Sequence, residues 1–181
     1  MKRISLFTFF IFLGIAGCMA QVSGEKIEKV YVAFKTHLDV GFTDLSSVVT
    51  ERYVHDFIPK AIEVSERLRA DGSGDRYVWT TGSWLIWKYL RTASPEAVKQ
   101  LEEAIGRGDI VWNSVPYTVE SETMTRELFE TCLLLPKRLD KKYNKQTIAA
   151  KMTDVPGHTR SIIDPMYDAG IRLLHVGINS A

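Results

Sequence analysis

Residues 76–114 read RYVWTTGSWLIWKYLRTASPEAVKQLEEAIGRGDIVWNS, and this stretch decides the fold class. It opens and closes on short runs rich in β-branched and aromatic residues, which are typical of strands. Serine followed by proline inside it is a typical helix start, and glycine a typical helix end. The predicted elements are a strand at 76–81, a helix at 84–90, a helix from Ser94-Pro95 to Gly106 or Gly108, and a strand at 109–114. Strands joined by helices predict a parallel sheet.

The same alternation continues on both sides of this stretch. We predict further strands at 30–36, 147–152 and 173–176. Helices are predicted at 50–69 with a kink at Pro59, at 125–143 with a bend at Pro136, and at 161–169 with an interruption near Asp164-Pro165. The chain is therefore of the α/β class, with a helix-covered parallel sheet that is either open and doubly wound or closed into a barrel. In both cases ligands bind at the carboxyl ends of the strands.

The C-terminus follows the last predicted strand after only a few residues, 177–181. Neither a covering helix nor a further strand is predicted there. We therefore expect the chain to be a truncated part of a larger enzyme, although a small five-stranded sheet that is complete in itself is the alternative.

The N-terminal residues 1–17 have the pattern of a signal peptide, with Lys2 and Arg3 before an apolar run that is too short to span a bilayer. The sequence Ile15-Ala16-Gly17-Cys18 resembles a bacterial lipobox, which predicts lipidation of Cys18; ordinary cleavage after Ala20 is the alternative. We expect an exported protein, in the periplasm or at the outer membrane or cell surface, with a polar lead at 18–29 and a catalytic portion at 30–181. The lipid anchor would be its only membrane contact.

Composition excludes several classes of protein. Apolar residues make up 45% and charged residues 25% of the chain, which is typical of a globular domain. Without residues 1–17 the net charge changes from +1 to −1, so nothing predicts nucleic-acid binding. Cys132 has no intrachain partner once Cys18 is lipidated or removed, and its apolar helical surroundings predict a packing role.

Two groups of potential metal ligands follow predicted strands. His37 and Asp39 are two residues apart, so in an extended chain their side chains point to the same side. Asp154 follows the fourth strand and precedes the Pro156-Gly157 turn. Imidazole and carboxylate suit zinc or a similar divalent cation. Taken singly, each group could instead be a surface pair or a helix cap, but all three arise at one edge of the sheet.

Other residues at this edge are candidate substrate-binding groups. Trp84 could stack on a sugar ring, whereas Trp79 and Trp112 are expected in the core. Asn113, Tyr117 and Glu120 could bind substrate hydroxyls or simply be polar surface, and His158 faces either the site or solvent. His55 and His175 are expected to be structural.

The stretches KTHLDVGF, at 35–42, and TDVPGHTRSIIDPMYDAGIRLLHVG, at 153–177, resemble motifs of family 38 glycoside hydrolases, the class II α-mannosidases. RYVWTTGSWLIWKYL and RGDIVWNSVPYTVESETM resemble the second and third strands of that family and their loops. The resemblance runs from about Val30 to the end of the chain and looks closest to an uncharacterised bacterial branch.

The resemblance implies the first part of a seven-stranded β/α barrel and a zinc-dependent retaining glycosidase. His37, Asp39 and Asp154 would be three of four Zn²⁺ ligands, and Asp154 would also be the nucleophile. The fourth ligand and the general acid would come from a C-terminal part of the same enzyme, so these 181 residues alone are expected to show little or no activity. Phe42 stands where the family usually has tryptophan, beside the sugar subsite, and Val155-Pro156 also departs from the family pattern. Mannose specificity therefore stays open.

Two other functions remain possible at this point. Polysaccharide deacetylases use a related barrel with a metal site and a His-x-x-x-His element, but the fourth residue after His158 is Ile162. A lipoprotein that binds carbohydrate without turnover, or an inactive remnant, is the non-enzymatic alternative.

Overall fold

The computed structural model describes residues 27–30, 32 and 35–178, with Ile178 described in its backbone only. The chain divides into two compact units, residues 1–32 and 33–181. In the first unit, residues 27–30 and 32 have no regular secondary structure. The predicted signal peptide, the lipidation site Cys18 and much of the predicted strand 30–36 lie outside the described residues. All that follows concerns the second unit.

The first helical segment consists of α1 (Ser46–Arg52), a π-helical turn (Tyr53–Phe57) and α2 (Ile58–Ala70). It begins earlier than the predicted helix at 50–69. Pro59 lies in the first turn of α2. Because proline has no N–H to donate, the hydrogen-bond ladder cannot run evenly through this point, and the π turn directly before it absorbs the irregularity.

The stretch that decided the fold class forms β1 (Trp79–Gly82), α3 (Ser83–Thr92), α4 (Pro95–Arg107) and β2 (Ile110–Asn113). The two strands are parallel, with Trp79 opposite Ile110 and Gly82 opposite Asn113. The Ser94 side chain caps α4 by accepting a hydrogen bond from the N–H of Ala97. Gly108 ends this helix at φ 78°, a left-handed conformation that favours glycine. The predicted strand–helix–helix–strand order is confirmed, although β1 begins three residues later than expected.

The second half repeats the pattern with α5 (Arg126–Tyr143), β3 (Ala149–Val155), α6 (Ile163–Asp168) and β4 (Leu173–Ile178). Strands β3 and β4 are parallel. Pro136 lies inside α5 without ending it. The interruption predicted near Asp164-Pro165 is present but does not fall at the proline, because Pro165 lies in the first turn of α6, where its missing N–H costs nothing. The break lies earlier, between a 3₁₀ turn (Arg160–Ile162) and α6.

Neighbouring strands follow the order of the sequence. Lys35 forms a parallel bridge with Thr80 of β1, which is all that the described residues show of the first predicted strand. The N–H of Ser114, just after β2, donates to the carbonyl of Ala149 in β3 over 2.8 Å. Within the described residues the strands thus form two parallel pairs, β1–β2 and β3–β4, and the bond from Ser114 joins one pair to the other. They do not show closure, so the seven-stranded barrel stays a prediction.

Two apolar clusters hold helices against the strands. The larger joins β1 and β2 to the helices from α2 to α5, and the smaller joins β3 to α5 and α6. Trp79 and Trp112 are buried in the larger cluster, which confirms their prediction as core residues. Cys132 is partly buried on α5, and burial raises the pKa of its thiol, consistent with a packing role. Within the described part of the chain, no helix combines the length and apolar character needed to cross a bilayer.

Candidate metal centre

The first two candidate ligands follow the bridge between Lys35 and Thr80. The Nε2 atom of His37 lies 3.0 Å from the Oδ1 atom of Asp39, so the two side chains meet as their spacing predicts. Gly41 then adopts φ 86°, which lets the chain turn away from this edge towards α1. The backbone carbonyl of His37 accepts a hydrogen bond from the Tyr53 hydroxyl over 3.1 Å, which ties the segment to the π-helical turn.

Asp154 reaches the same point because of an irregularity in β3. It has φ 69°, in the left-handed region that aspartate tolerates better than most residues, and the pairing of β3 with β4 shifts between Thr153 and Val155. In a regular strand Thr153 and Asp154 would point to opposite faces. Here both approach His37: the Oδ2 atom of Asp154 lies 3.1 Å from His37 Nε2, and the Thr153 hydroxyl lies 3.4 Å from His37 Nδ1. Irregularities of this kind often re-aim side chains beside functional sites.

The resulting cluster has the dimensions of a cation site. One ligand atom from each of His37, Asp39 and Asp154 lies within 4.8 Å of the other two. Ligand atoms about 2.1 Å from a tetrahedral zinc lie about 3.4 Å from one another, and both distances from His37 Nε2 are close to this value. A small movement of the two carboxylates would complete the arrangement. All three side chains are partly exposed to solvent, so an ion and a substrate can reach them.

Among the described residues, no arginine or lysine forms an ion pair with the carboxylates of the cluster. Within 27–30, 32 and 35–178, the ion pairs formed by Asp39 and Asp154 are both with His37. Two carboxylates and one imidazole leave the group anionic whether or not the imidazole is protonated. Imidazole and carboxylate oxygen are a donor set that Zn²⁺ accepts. The residues present therefore fit a divalent cation.

Thr153 and Tyr53 both contact His37, and the sequence patterns did not single out either of them. The Thr153 hydroxyl lies 3.4 Å from His37 Nδ1 and, if a metal were bound at Nε2, could accept the ring proton that Nδ1 would then carry. Burial raises the pKa of Tyr53, and the negative charge of Asp39 adds to the effect. An aromatic residue on a helix and a threonine in a strand carry no signal in sequence that marks them as partners of a ligand.

A pocket of about 220 Å³ opens beside His37 and Asp39. It is smaller than the roughly 300–1,000 Å³ of complete small-molecule sites, so it could hold part of a ligand only. Arg52 lines it and pairs with Asp44 over 2.7 Å. The remaining lining residues are Thr43, Val49, Tyr53 and Phe57.

Asn113, a predicted substrate-binding residue, uses its side chain for hydrogen bonds within the protein. Its side chain is buried, its amide nitrogen donates to the carbonyl of Thr81, and its amide oxygen accepts from the N–H of Val115. Both ends of the amide are thus used inside the protein, where they hold the turn after β2. The turn passes so close to Gly82 that a Cβ there would lie 2.3 Å from the carbonyl oxygen of Pro116.

The aromatic candidates differ in exposure. Trp84 is partly buried against the larger core cluster and meets Tyr117 edge-on, with ring centroids 6.1 Å apart. Tyr117 is exposed, and burial of part of its surface raises the pKa of its hydroxyl. Phe42 is 87% exposed, which leaves its ring free for a ligand but without a described partner in the protein. Substrate binding by these three residues stays a prediction.

His158 faces the protein rather than solvent. Its Nδ1 atom lies 3.2 Å from the Ser121 hydroxyl, which also accepts a hydrogen bond from the N–H of Thr159. Its Nε2 atom is buried and has no hydrogen-bond partner among the described residues. Ser121, which is buried, thus fastens the loop after β3 to the loop after β2. Glu120 beside it is exposed.

The other two histidines lie apart from the cluster. His55 pairs with Glu51 on the exposed side of the first helical segment. His175 in β4 is exposed, and its Nε2 atom lies 2.8 Å from the ammonium group of Lys35.

Comparisons with known proteins place the fold but no family. No family model matches the chain, and no curated protein matches it. Among solved structures, the chain is similar to the crystal structure of 4-alpha-glucanotransferase from Thermococcus litoralis, with a TM-score of 0.57 and 15% sequence identity. The similarity covers 78% of this chain and 21% of the other, so the chain spans about a fifth of the length of that structure. At this identity the similarity shows a shared fold.

Proposed function

We propose that the protein is a metal-dependent, carbohydrate-active enzyme, and more specifically a zinc-dependent retaining glycoside hydrolase of the α-mannosidase type. The observation that carries the proposal is the convergence of His37, Asp39 and Asp154, from segments more than 100 residues apart, within 4.8 Å of one another. The shared fold with a part of 4-alpha-glucanotransferase, an enzyme whose name denotes glucan transfer, supports carbohydrate as the substrate class.

The roles proposed for these residues are those that the resemblance to family 38 glycoside hydrolases implies. His37 Nε2, an Asp39 oxygen and Asp154 Oδ2 would hold Zn²⁺, with Thr153 keeping the imidazole in the required tautomer. The bound ion would orient adjacent sugar hydroxyls and offset charge that develops on them. Because Oδ2 of Asp154 faces His37, the other oxygen, Oδ1, is the one available to attack the anomeric carbon. The attack forms a glycosyl ester that water then hydrolyses.

Retaining hydrolysis also needs a general acid to protonate the leaving group. We place this residue, together with a fourth metal ligand, in a C-terminal part of the same enzyme. Export as a lipoprotein through Cys18 belongs to the proposal as well, with carbohydrate outside the cytoplasm as the substrate.

Metal binding is the first test. The full chain, stripped with a chelator, is titrated with ZnCl₂ in a calorimeter, alongside Asp154→Asn and the matched control Asp75→Asn in the exposed loop after α2. We expect one Zn²⁺ per chain, about 100-fold weaker binding in Asp154→Asn, and no change in Asp75→Asn. Equal affinity in all three proteins would contradict a metal centre at this place.

Covalent labelling tests the catalytic role without the general acid. An activated mannosyl fluoride carries a leaving group that needs no protonation, so a retaining nucleophile can form its glycosyl ester unaided. We expect a mass increase on the peptide that contains Asp154, absent after chelation and absent in Asp154→Asn. Release of acetate from an acetylated polysaccharide, with no glycosyl adduct, would instead identify a deacetylase. Sugar binding with neither reaction would identify a non-catalytic carbohydrate-binding protein.

A further inference from the structure

Three basic side chains lie together beside the candidate metal ligands. They come from three different strand segments: Lys35 from the bridge to β1, Lys151 from β3 and His175 from β4. Lys151 and His175 are opposite each other in the parallel register, so their side chains share one face. The ammonium of Lys35 lies 2.8 Å from His175 Nε2, and that of Lys151 donates to the carbonyl of Thr36 over 3.1 Å.

This group of three, here called the basic layer, lies next to the metal centre. Lys35 precedes His37 by two residues, and Lys151 precedes Thr153 by two. Side chains two residues apart along a strand share a face and are separated by roughly 7 Å. The basic layer and the metal centre are directly adjacent, because Lys151 donates to the carbonyl of Thr36, the residue before His37, and the Thr153 hydroxyl lies 3.4 Å from His37 Nδ1.

The charge of the basic layer has no carboxylate partner in the described part of the chain. No ion pair joins Lys35 or Lys151 to an aspartate or glutamate among residues 27–30, 32 and 35–178. Burial lowers the pKa of Lys151, and the positive charge of Lys35 lowers it further, so the two ammonium groups repel each other. A ligand with negative charge would relieve that repulsion.

The basic layer also offers several hydrogen-bond donors. An ammonium group has three N–H donors and no acceptor, so His175 Nε2 must accept from Lys35 and the ring proton lies on Nδ1. One donor of Lys35 and one of Lys151 are used, which leaves two on each lysine and one on His175. Five donors around two positive charges match the several acceptor positions of a carboxylate or sulfate.

We propose that Lys35, Lys151 and His175 bind the carboxylate or sulfate group of an acidic sugar. This step rests on the proposed function, because it takes the neighbouring metal centre as the place where the sugar is held. The substrate class is then a uronic acid or a sulfated sugar rather than a neutral mannoside. Recognition of the anionic group at the basic layer would position the sugar hydroxyls near His37, Asp39 and Asp154.

The test measures binding of three probes to the full chain by calorimetry: sodium glucuronate, glucose and inorganic sulfate. The variants are Lys151→Gln and Lys35→Gln, with Lys99→Gln on the exposed face of α4 as the matched control. We expect glucuronate to bind and glucose not to, with about tenfold weaker glucuronate binding in each of the first two variants and no change in the control. In the wild-type chain, glucuronate should also shift the NMR signals of the His175 ring, a readout that requires no variant.

Other binding results would overturn the proposal. Equal binding of glucuronate and glucose, or unchanged binding in Lys151→Gln, overturns the proposal. Sulfate that binds through the two lysines while glucuronate does not overturns recognition of a sugar carboxylate, so that the uronic acid is excluded as substrate. The ZnCl₂ titration on the same samples keeps the two proposals apart: zinc binding without anion binding removes only the basic layer, and anion binding without zinc binding removes the metal centre.

Discussion

Carboxylates at the two ends of the strands have opposite surroundings. Asp109, at the amino end of β2, is 1% exposed and is held by Arg69 and Arg107, with Arg76 at 3.8 Å. Arg69 donates from both Nε and Nη2, and Arg107 donates from Nε over 2.9 Å. Asp39 and Asp154, at the carboxyl edge, are partly exposed and have His37 as their common ion-pair partner within the described chain.

The two surroundings indicate different roles: Asp109 stabilises the fold, whereas Asp39 and Asp154 are available to a ligand. Burial alone would raise the pKa of Asp109, but the hydrogen bonds from Arg69 and Arg107 outweigh it and hold the pKa below its usual value. The ionised carboxylate is thus satisfied by the protein itself and links α2, α4 and the start of β2. At the other edge, two carboxylates approach one imidazole and still lack a full counter-charge, which an incoming cation would supply.

The largest effect is expected from removing the charge of Asp109. Asp109→Asn keeps the shape but leaves the arginines around a neutral group. We expect a loss of about 3 kcal/mol in the free energy of unfolding, at the lower end for a broken buried ion pair because the arginines remain partly solvated. Urea unfolding followed by circular dichroism measures it. A loss as small as that in the exposed-loop variant Asp75→Asn would remove the contrast between the two edges.

The reverse response is expected at the carboxyl edge. Asp154→Asn should leave the metal-free stability nearly unchanged, because it reduces repulsion with Asp39 and relaxes nothing in the core. ZnCl₂ at about 100 times its dissociation constant should stabilise the wild-type chain by about 2.7 kcal/mol and stabilise Asp154→Asn far less. Thermal unfolding with and without zinc provides the measurement. As a control, zinc should stabilise Asp109→Asn and wild type equally. Failure of zinc to stabilise the wild-type chain would contradict the proposed metal centre.

A smaller effect is expected from the residue that orients His37. Thr153→Val removes the hydroxyl that meets His37 Nδ1 while keeping the side-chain volume. We expect zinc affinity to fall about tenfold, in the lower range for loss of an outer partner of a metal ligand, with little change in metal-free stability. Thr131→Val on the exposed side of α5 is the control. A large loss of stability with unchanged zinc affinity would make Thr153 a structural residue instead.

The smallest effect concerns pH. Because the pKa of Asp109 is lowered in the folded chain, its contribution to stability is present above the unfolded pKa, near 3.9, and is lost as the pH falls through the folded value. The difference in unfolding free energy between wild type and Asp109→Asn should therefore be smaller at pH 3 than at pH 7, by up to about 1.2 kcal/mol. Urea midpoints at the two pH values measure it. A difference that grows on acidification would mean that Asp109 is not stabilised in its ionised form.

Local sequence patterns predicted most of the elements of the fold. The apolar runs that contain Trp79 and Trp112, the cap at Ser94 and the glycine at 108 identified the strands and helices, because each depends on a few neighbouring residues. Element ends were less well predicted. The first helical segment begins at Ser46 rather than residue 50, and β3 extends to Val155 rather than ending at residue 152. Pairing with a neighbouring strand, which lies far away in sequence, decides where a strand ends.

Local patterns also predicted part of the candidate site. The meeting of His37 and Asp39 follows from their two-residue spacing, and the arrival of Asp154 follows from the shared edge of a parallel sheet. Asn113 was expected to bind substrate, but its amide is used by Thr81 and Val115, which only the folded turn reveals. The partners of His37 were missed because Tyr53 and Thr153 lie 16 and 116 residues away from it in sequence.

The amino-acid sequence by itself determined the alternation of strands and helices and the residue types able to hold a cation. Export through the N-terminal segment stays a prediction. Tertiary structure decided which of these side chains meet. The left-handed conformation of Asp154 turns its carboxylate towards His37, and the parallel register places Lys151 beside His175. The physical reason is that propensity and periodicity act over a few residues, whereas a binding site depends on distances between segments that only the packing of strands and helices sets.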